Sequence, residues 1–281
     1  MATTELNEFW KDIMKSEDLM TLERYECGPG LCVIINNMKF LNSENHLPCG
    51  GVDQANLKDA FESIGFVVEV HPNLEAKKME AEVKKYSEKE HTGAFFLILL
   101  SHGGEGVVYG TDEAEVKVQK LKENFYNTKC HDSLVGKPKV FVIDACRGNN
   151  KERCTLSKSK PGPSLPSKPK IQTDVTVTDS ADILTIFAST RGNTADYDNE
   201  GLEKGSYFTY CFALVLKNIV APKNLIDIIK IVQSQIQKLG QTTEFESTLT
   251  KQYYIKSRDN DCDDSEQKKQ MEIINQDTKM Q

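Results

Sequence analysis

The sequence predicts an α/β protein: a mostly parallel six-stranded sheet with helices on both faces. Two observations carry this. The runs Leu31–Ile35, Ala94–Leu100 and Lys139–Ala145 are apolar almost without a break, as strands buried on both faces must be. Between such runs lie segments whose apolar residues recur at helical spacing, and that alternation lays crossover helices over a parallel sheet.

Taken in order, Leu31–Ile35 is the first strand. Val52 to Ile64 is a helix, with Leu57, Ala60 and Phe61 on one stripe and Gly65 placed to end it. Phe66–Val70 reads as the second strand and Leu74–Lys89, rich in Glu, Lys and Ala, as the second helix. Ala94–Leu100, Lys139–Ala145 and Ile183–Ala188 are the third to fifth strands. Phe208–Ile219 and Asn224–Leu239 are two more helices, the latter with Leu225, Ile228, Ile229, Val232 and Ile236 in register. Ser247–Ile255 is expected as the last strand.

One interval breaks the alternation. Asn149 to Ser180 has no period before Val175, holds Pro161, Pro163, Pro166 and Pro169, and sets six Lys or Arg residues against Glu152. So long a structureless stretch inside a domain is functional or disordered, and it reads as an exposed, protease-accessible linker. The polar segment 257–281 looks briefly like a calcium loop at Asp259, Asp261 and Asp263. That loop needs Gly and Glu where Asp264 and Gln270 stand, so a solvated tail is expected. The domain is expected over 28–256, after a short N-terminal segment, 1–27.

Composition narrows the function. A net charge of −7 argues against nucleic acid as a partner. No apolar run approaches membrane-spanning length, and MATTELNEFWKDIMK lacks a signal pattern. The 8 cysteines are scattered, with no Cys-x-x-Cys pair and no histidine at zinc spacing. They read as reduced thiols of a cytoplasmic protein, with neither metal nor cofactor expected.

In an open parallel sheet, reactive groups gather at the carboxyl ends of strands. His102 follows one such end, in LILLSHGGEG, and Cys146 another, in VFVIDACRG. On adjacent strands the imidazole faces the thiol, and it can take the thiol proton and pass it to a leaving amine. Glycines follow both residues, so the backbone N–H groups of Gly103 and Cys146 are candidates for an oxyanion hole. A lone strand-end cysteine is more often structural; the conjunction is what points to chemistry.

SHGGEGVVYGTD, SLVGKPKVFVIDACRG and GSYFTYCFALVL, in that order and spacing, resemble the caspase family of cysteine proteases, and in their short leader its executioner members. The resemblance covers Gly28 to Lys256. It implies a caspase-hemoglobinase fold, a His102–Cys146 dyad, and a large subunit (28–148) and small subunit (181–256) separated by the linker 149–180. It further implies protein substrates and a dimer, with itself or with another caspase, through the last strand.

The specificity pocket departs from that pattern. Family members cut after aspartate by presenting two arginines and a glutamine to its carboxylate. Here the glutamine position holds Asp144 and the first arginine position holds Leu47, while the loop that should carry the second offers Asp196 and Asp198. Arg191 lies too close to the fifth strand to fill the role. Losing two guanidinium partners and gaining like charge removes the basis for an aspartate at P1, the residue whose carbonyl is attacked. The acids suit a basic P1 instead, as in metacaspases and paracaspases. The bland alternative is that Asp144 is held by Arg147 or backbone N–H groups, facing away from substrate. In the linker, Asp174 and Asp179 resemble caspase processing sites. Two functions are therefore expected to compete: an endopeptidase with altered P1 preference, and a weakly active decoy or regulator that dimerises with an active caspase. A flavodoxin-like nucleotide site is excluded because NNMKFLNSENHLPCGG is not a phosphate-binding turn.

Overall fold

The computed structural model describes residues 21–148, 178–196 and 204–256. Six strands form the central sheet: β1 (Leu31–Asn36), β2 (Val67–Pro72), β3 (Phe95–Leu100), β7 (Lys139–Asp144), β8 (Ile183–Phe187) and β10 (Glu244–Ser247). Their spatial order is β10-β8-β7-β3-β1-β2. All pairs are parallel except β10 with β8.

The alternation of side chains along each strand sorts the core into two halves. Cys32, Ile34, Phe96, Ile98, Val140, Val142, Leu184 and Ile186 pack on one face. Helices α1 (Gly50–Ser63), α4 (Tyr207–Lys217) and α5 (Leu225–Ile236) cover that face. Val33, Ile35, Phe95, Leu97, Phe141 and Ile143 pack on the other, beneath α2 (Ala76–Glu88) and α3 (Val118–Glu123). Both faces are dry, which is why β3 and β7 are buried at every position.

Two predicted elements need correction. The sixth strand is Glu244–Ser247, not Ser247–Ile255; within the latter only Tyr254–Ile255 (β11) is strand, pairing with Lys223–Asn224 (β9) in a separate ribbon. Thr248 turns the chain away, its hydroxyl donating to Ser180 O at 2.6 Å and its N–H to Ile183 O at 2.8 Å. The edges of the sheet are therefore β10 and β2. The interval after His102 carries no helix or strand period in the sequence. It forms a small antiparallel sheet of β4 (Gly103–Gly104), β5 (Val107–Tyr109) and β6 (Glu115–Lys117). The linker up to residue 177, with Asp174, lies outside the described residues, as do Asp198, segment 1–20 and tail 257–281.

Candidate active site

Adjacent pairing of β3 and β7 brings their carboxyl ends together: Leu100 sits opposite Asp144, with Ser101 N–H donating to Asp144 O at 3.3 Å. His102 and Cys146 leave those two ends and both line the same two cavities, one of about 450 Å³ and one of about 80 Å³. The juxtaposition expected from the sequence is present.

His102 is held from three sides. Its carbonyl accepts the Tyr109 N–H at 2.9 Å, its ring packs against Phe40 at 4.8 Å between centroids, and its Nε2 lies 2.8 Å from Asn45 O. A carbonyl oxygen can only accept, so Nε2 carries the proton and Nδ1 keeps its lone pair as the basic nitrogen. No sequence pattern marks Asn45, because its contribution is a backbone carbonyl that any residue could supply.

Gly103 has no space for a side chain: a Cβ there would stand 2.7 Å from Val107 O, 2.9 Å from Ala145 Cβ and 3.0 Å from Cys146 O. Glycine lets the histidine turn close onto the cysteine turn. Gly103 and Cys146 both line the larger cavity, along with Gly148, Tyr109 and Thr194.

Cys146 is half-buried. Ala195 N–H donates to its Sγ at 3.4 Å, and the thiol lies 3.8 Å from Ala195 O. Burial pushes the thiol pKa up, and the carboxylates of Asp144 and Asp196 add to it, against the lowering effect of the Ala195 N–H.

Besides His102 after β3 and Asn36 at the end of β1, the smaller cavity is walled by Leu47, Cys49 and Asp53 before and within α1, by Asp144 at the end of β7 and Cys146 beyond it, and by Ala195 and Ser206 before α4. Leu47 and Asp144 both line this cavity. Asp196 does not line this cavity; its Oδ1 accepts the Thr194 hydroxyl at 3.0 Å and its N–H donates to Gln241 Oε1 at 3.0 Å.

Asp144 is not held by Arg147. Its Oδ2 accepts the hydroxyls of Ser206 and of Thr209, the latter at 2.6 Å. Ser206 caps α4, its Oγ accepting the Thr209 N–H at 3.2 Å. Arg147 turns the other way, bonding Glu244 Oε2 at 2.7 Å and stacking 3.8 Å over the Phe187 ring. Arg191 pairs with Glu246 at 3.1 Å and lines a different pocket, so it does not reach in.

The cavity holds a second acid. Asp53, in the first turn of α1, is buried, and its Oδ1 accepts the Ser206 N–H at 2.7 Å. Burial and the neighbouring Asp144 raise its pKa to about 7, opposed by the Ser206 N–H and the Cys49 thiol. Asp144 is likewise raised by burial, and the Cys49 thiol, caught in the same buried acidic corner, is pushed up to about 12. An acid at a helix start beside a predicted pocket residue was the available signal.

Shortly before β8, Asp179 is tied down. Its Oδ1 accepts the Thr128 N–H at 2.9 Å and the Thr128 hydroxyl at 2.7 Å, and its carbonyl accepts the Asn127 N–H at 2.8 Å. Among the described residues no group of His, Cys, Asp and Glu is arranged to hold a metal ion, and no helix is long and apolar enough to cross a membrane.

A thiol and an imidazole thus leave neighbouring strand ends of a parallel sheet and line the same two cavities. Residues 29–254 match the family model described as Caspase domain. Caspase-3 of Mesocricetus auratus is 30% identical over 222 residues, 78% of this chain and 74% of that protein. Caspase-7 of Gallus gallus is 32% identical over 195 residues, 66% and 60% of the two chains. Caspase-8 of Rattus norvegicus is 31% identical over 165 residues, which is 53% of this chain and 34% of that protein. The chain belongs to the caspase family.

Proposed function

We propose that the chain is a cysteine endopeptidase acting in apoptosis or related signalling, with His102 and Cys146 as its dyad and a basic rather than acidic P1 preference. The observation that carries this reading is the smaller cavity: it adjoins the thiol, and its two buried carboxylates have no cationic partner among the described residues. A substrate cation would supply the missing charge; a substrate carboxylate would be repelled.

In the reaction, His102 Nδ1 takes the Cys146 thiol proton and the thiolate sulfur bonds to the P1 carbonyl carbon. The resulting oxyanion is received by the N–H groups of Gly103 and Cys146. His102 then returns the proton to the leaving amine, the peptide bond breaks, and water hydrolyses the thioester. No cofactor or metal enters this scheme. A dimer through the β10 edge, with itself or with another caspase, and linker cleavage by another caspase at Asp174 or Asp179 complete the proposal. The site is that of a cytoplasmic protein with reduced thiols.

A second reading is a dimerising decoy of weak activity. It is favoured by the raised thiol pKa and by the Ala195 backbone bonded to the nucleophile. P1 profiling of linker-cut protein against a randomised peptide library, with Cys146→Ala as blank, decides between them. Cleavage after Lys or Arg is expected. Cleavage after Asp overturns the basic preference, and no cleavage at all favours the decoy.

A further inference from the structure

We propose that Asp179 is a clamp rather than a processing site: its carboxylate and carbonyl pin the chain leading into β8 onto the loop between α3 and β7, and so withhold the Asp179–Ser180 bond from a caspase. The proposal rests on the linker-cleavage reading above and narrows it, since it removes one of the two aspartates named there.

Residues 178–180 are exposed, but tolerance to a cut is set by the hydrogen bonding of the backbone as much as by its exposure. Asp179 Oδ1 accepts the Thr128 N–H at 2.9 Å and the Thr128 hydroxyl at 2.7 Å, and Asp179 O accepts the Asn127 N–H at 2.8 Å. Asn127 donates again through its side-chain amide to Thr178 O at 2.8 Å, and its Oδ1 accepts the ammonium of the buried Lys139 at 2.8 Å. The carboxylate that a caspase would read at P1 and the carbonyl that it would attack are therefore both engaged. The Thr128 bonds also hold the Asp179 carboxyl below the usual carboxylate range, so the clamp keeps its charge at neutral pH.

The backbone has the wrong shape for a protease as well. Ala181 N–H donates to Thr178 O at 2.9 Å, closing a turn whose middle peptide is Asp179–Ser180. A peptide bound along a strand edge must be extended instead. The chain beyond the turn cannot give way easily. The Thr248 hydroxyl donates to Ser180 O at 2.6 Å and Asp182 N–H donates to Thr248 O at 2.9 Å. Asp182 is buried at φ +64°, its Oδ1 accepting the hydroxyls of Tyr25 at 2.6 Å and Thr250 at 2.7 Å. Cutting after Asp179 thus requires several bonds to open together, and the rate follows the small population of the opened form.

The test uses full-length Cys146→Ala protein, so that it cannot cut itself, a purified aspartate-specific caspase, and a synthetic peptide of residues 175–184 as the unclamped reference. Mass spectrometry of the fragments is expected to show cleavage after Asp179 in the peptide and cleavage about 30-fold slower or less at that bond in the native chain. Thr128→Val, which keeps the N–H donor and removes the hydroxyl, is expected to speed that cut about threefold to tenfold. Hydrogen exchange of the amides at positions 127 and 128 should quicken by a similar factor. A native chain cut after Asp179 as fast as the peptide overturns the proposal. So does an uncut peptide, because the sequence and not the clamp then withholds the bond, and so does Thr128→Val that changes neither rate. Failure of the linker-cleavage reading shows separately, as a chain left uncut at Asp174; the peptide-to-protein ratio at Asp179 and the response to Thr128→Val still decide the clamp.

Discussion

The two cavities that meet at Cys146 are built from different materials. The larger, about 450 Å³, is shaped by backbone and ring positions: the Asn45 carbonyl on His102, the Phe40 ring behind it, and glycines at 103 and 148. The smaller, about 80 Å³, is characterised by side-chain charge, with Asp53 and Asp144 above Leu47. Chemistry that depends on main-chain geometry is fixed by the fold itself. Selectivity that depends on a few side chains can be rewritten without refolding anything.

If the two cavities do separate chemistry from selectivity, removing the base should abolish turnover on every substrate alike. His102→Ala is expected to lower kcat 10²- to 10⁴-fold, the usual range for a positioned general base, with the ratio between P1 residues unchanged. Iodoacetamide should also lose whatever preference it has for Cys146 over Cys27, another half-buried thiol. A change in P1 ratio on this substitution would mean the cavities are not separable.

The acidic cavity has its own signature, visible without substrate. The groups facing Asp53 are Asp144, the Cys49 and Cys146 thiols and the His102 imidazole, which line the same space. Folding raises the Asp53 pKa from 3.8 to about 7, so between these values the folded protein binds more protons than the unfolded chain. Stability therefore falls as pH rises through that window. Each tenfold change in proton affinity is worth about 1.4 kcal/mol, so wild type should lose on the order of 2–4 kcal/mol relative to Asp53→Asn between pH 4.5 and 8. Urea denaturation at the two pH values measures it. Parallel curves for the two proteins would mean that no buried acid titrates there.

The same division explains what could be read beforehand. Strands β1, β3 and β7 were legible because burial on both faces leaves an unbroken apolar run, and the strand-end positions of His102 and Cys146 followed from them. The edge strand was misplaced because Glu244–Ser247 is four residues long and half exposed, so its pattern is too weak to compete with the longer STLTKQYYI. The β4–β6 sheet has strands of two or three residues, below the length at which a period shows. Leu47 and Asp144 were found by counting from motifs, whereas Asp53 was not, since its relation to Asp144 passes through Ser206, 153 residues away in the chain.

The finest separation of the two cavities comes from Thr209. Its hydroxyl donates to Asp144 Oδ2 at 2.6 Å from the first turn of α4, and the residue is almost fully buried. Thr209→Val keeps the shape and removes one of two hydroxyls that hold the carboxylate ionised. A hydrogen bond to a charged group contributes about 1.5–3 kcal/mol, but Ser206 remains, so only part of that is at stake. KM for a P1 lysine peptide should rise threefold to tenfold near neutral pH, with kcat nearly unchanged because Thr209 touches nothing in the larger cavity. A fall in kcat with KM unaltered would show that Asp144 acts on the nucleophile rather than on P1, and would merge the two cavities into one functional unit.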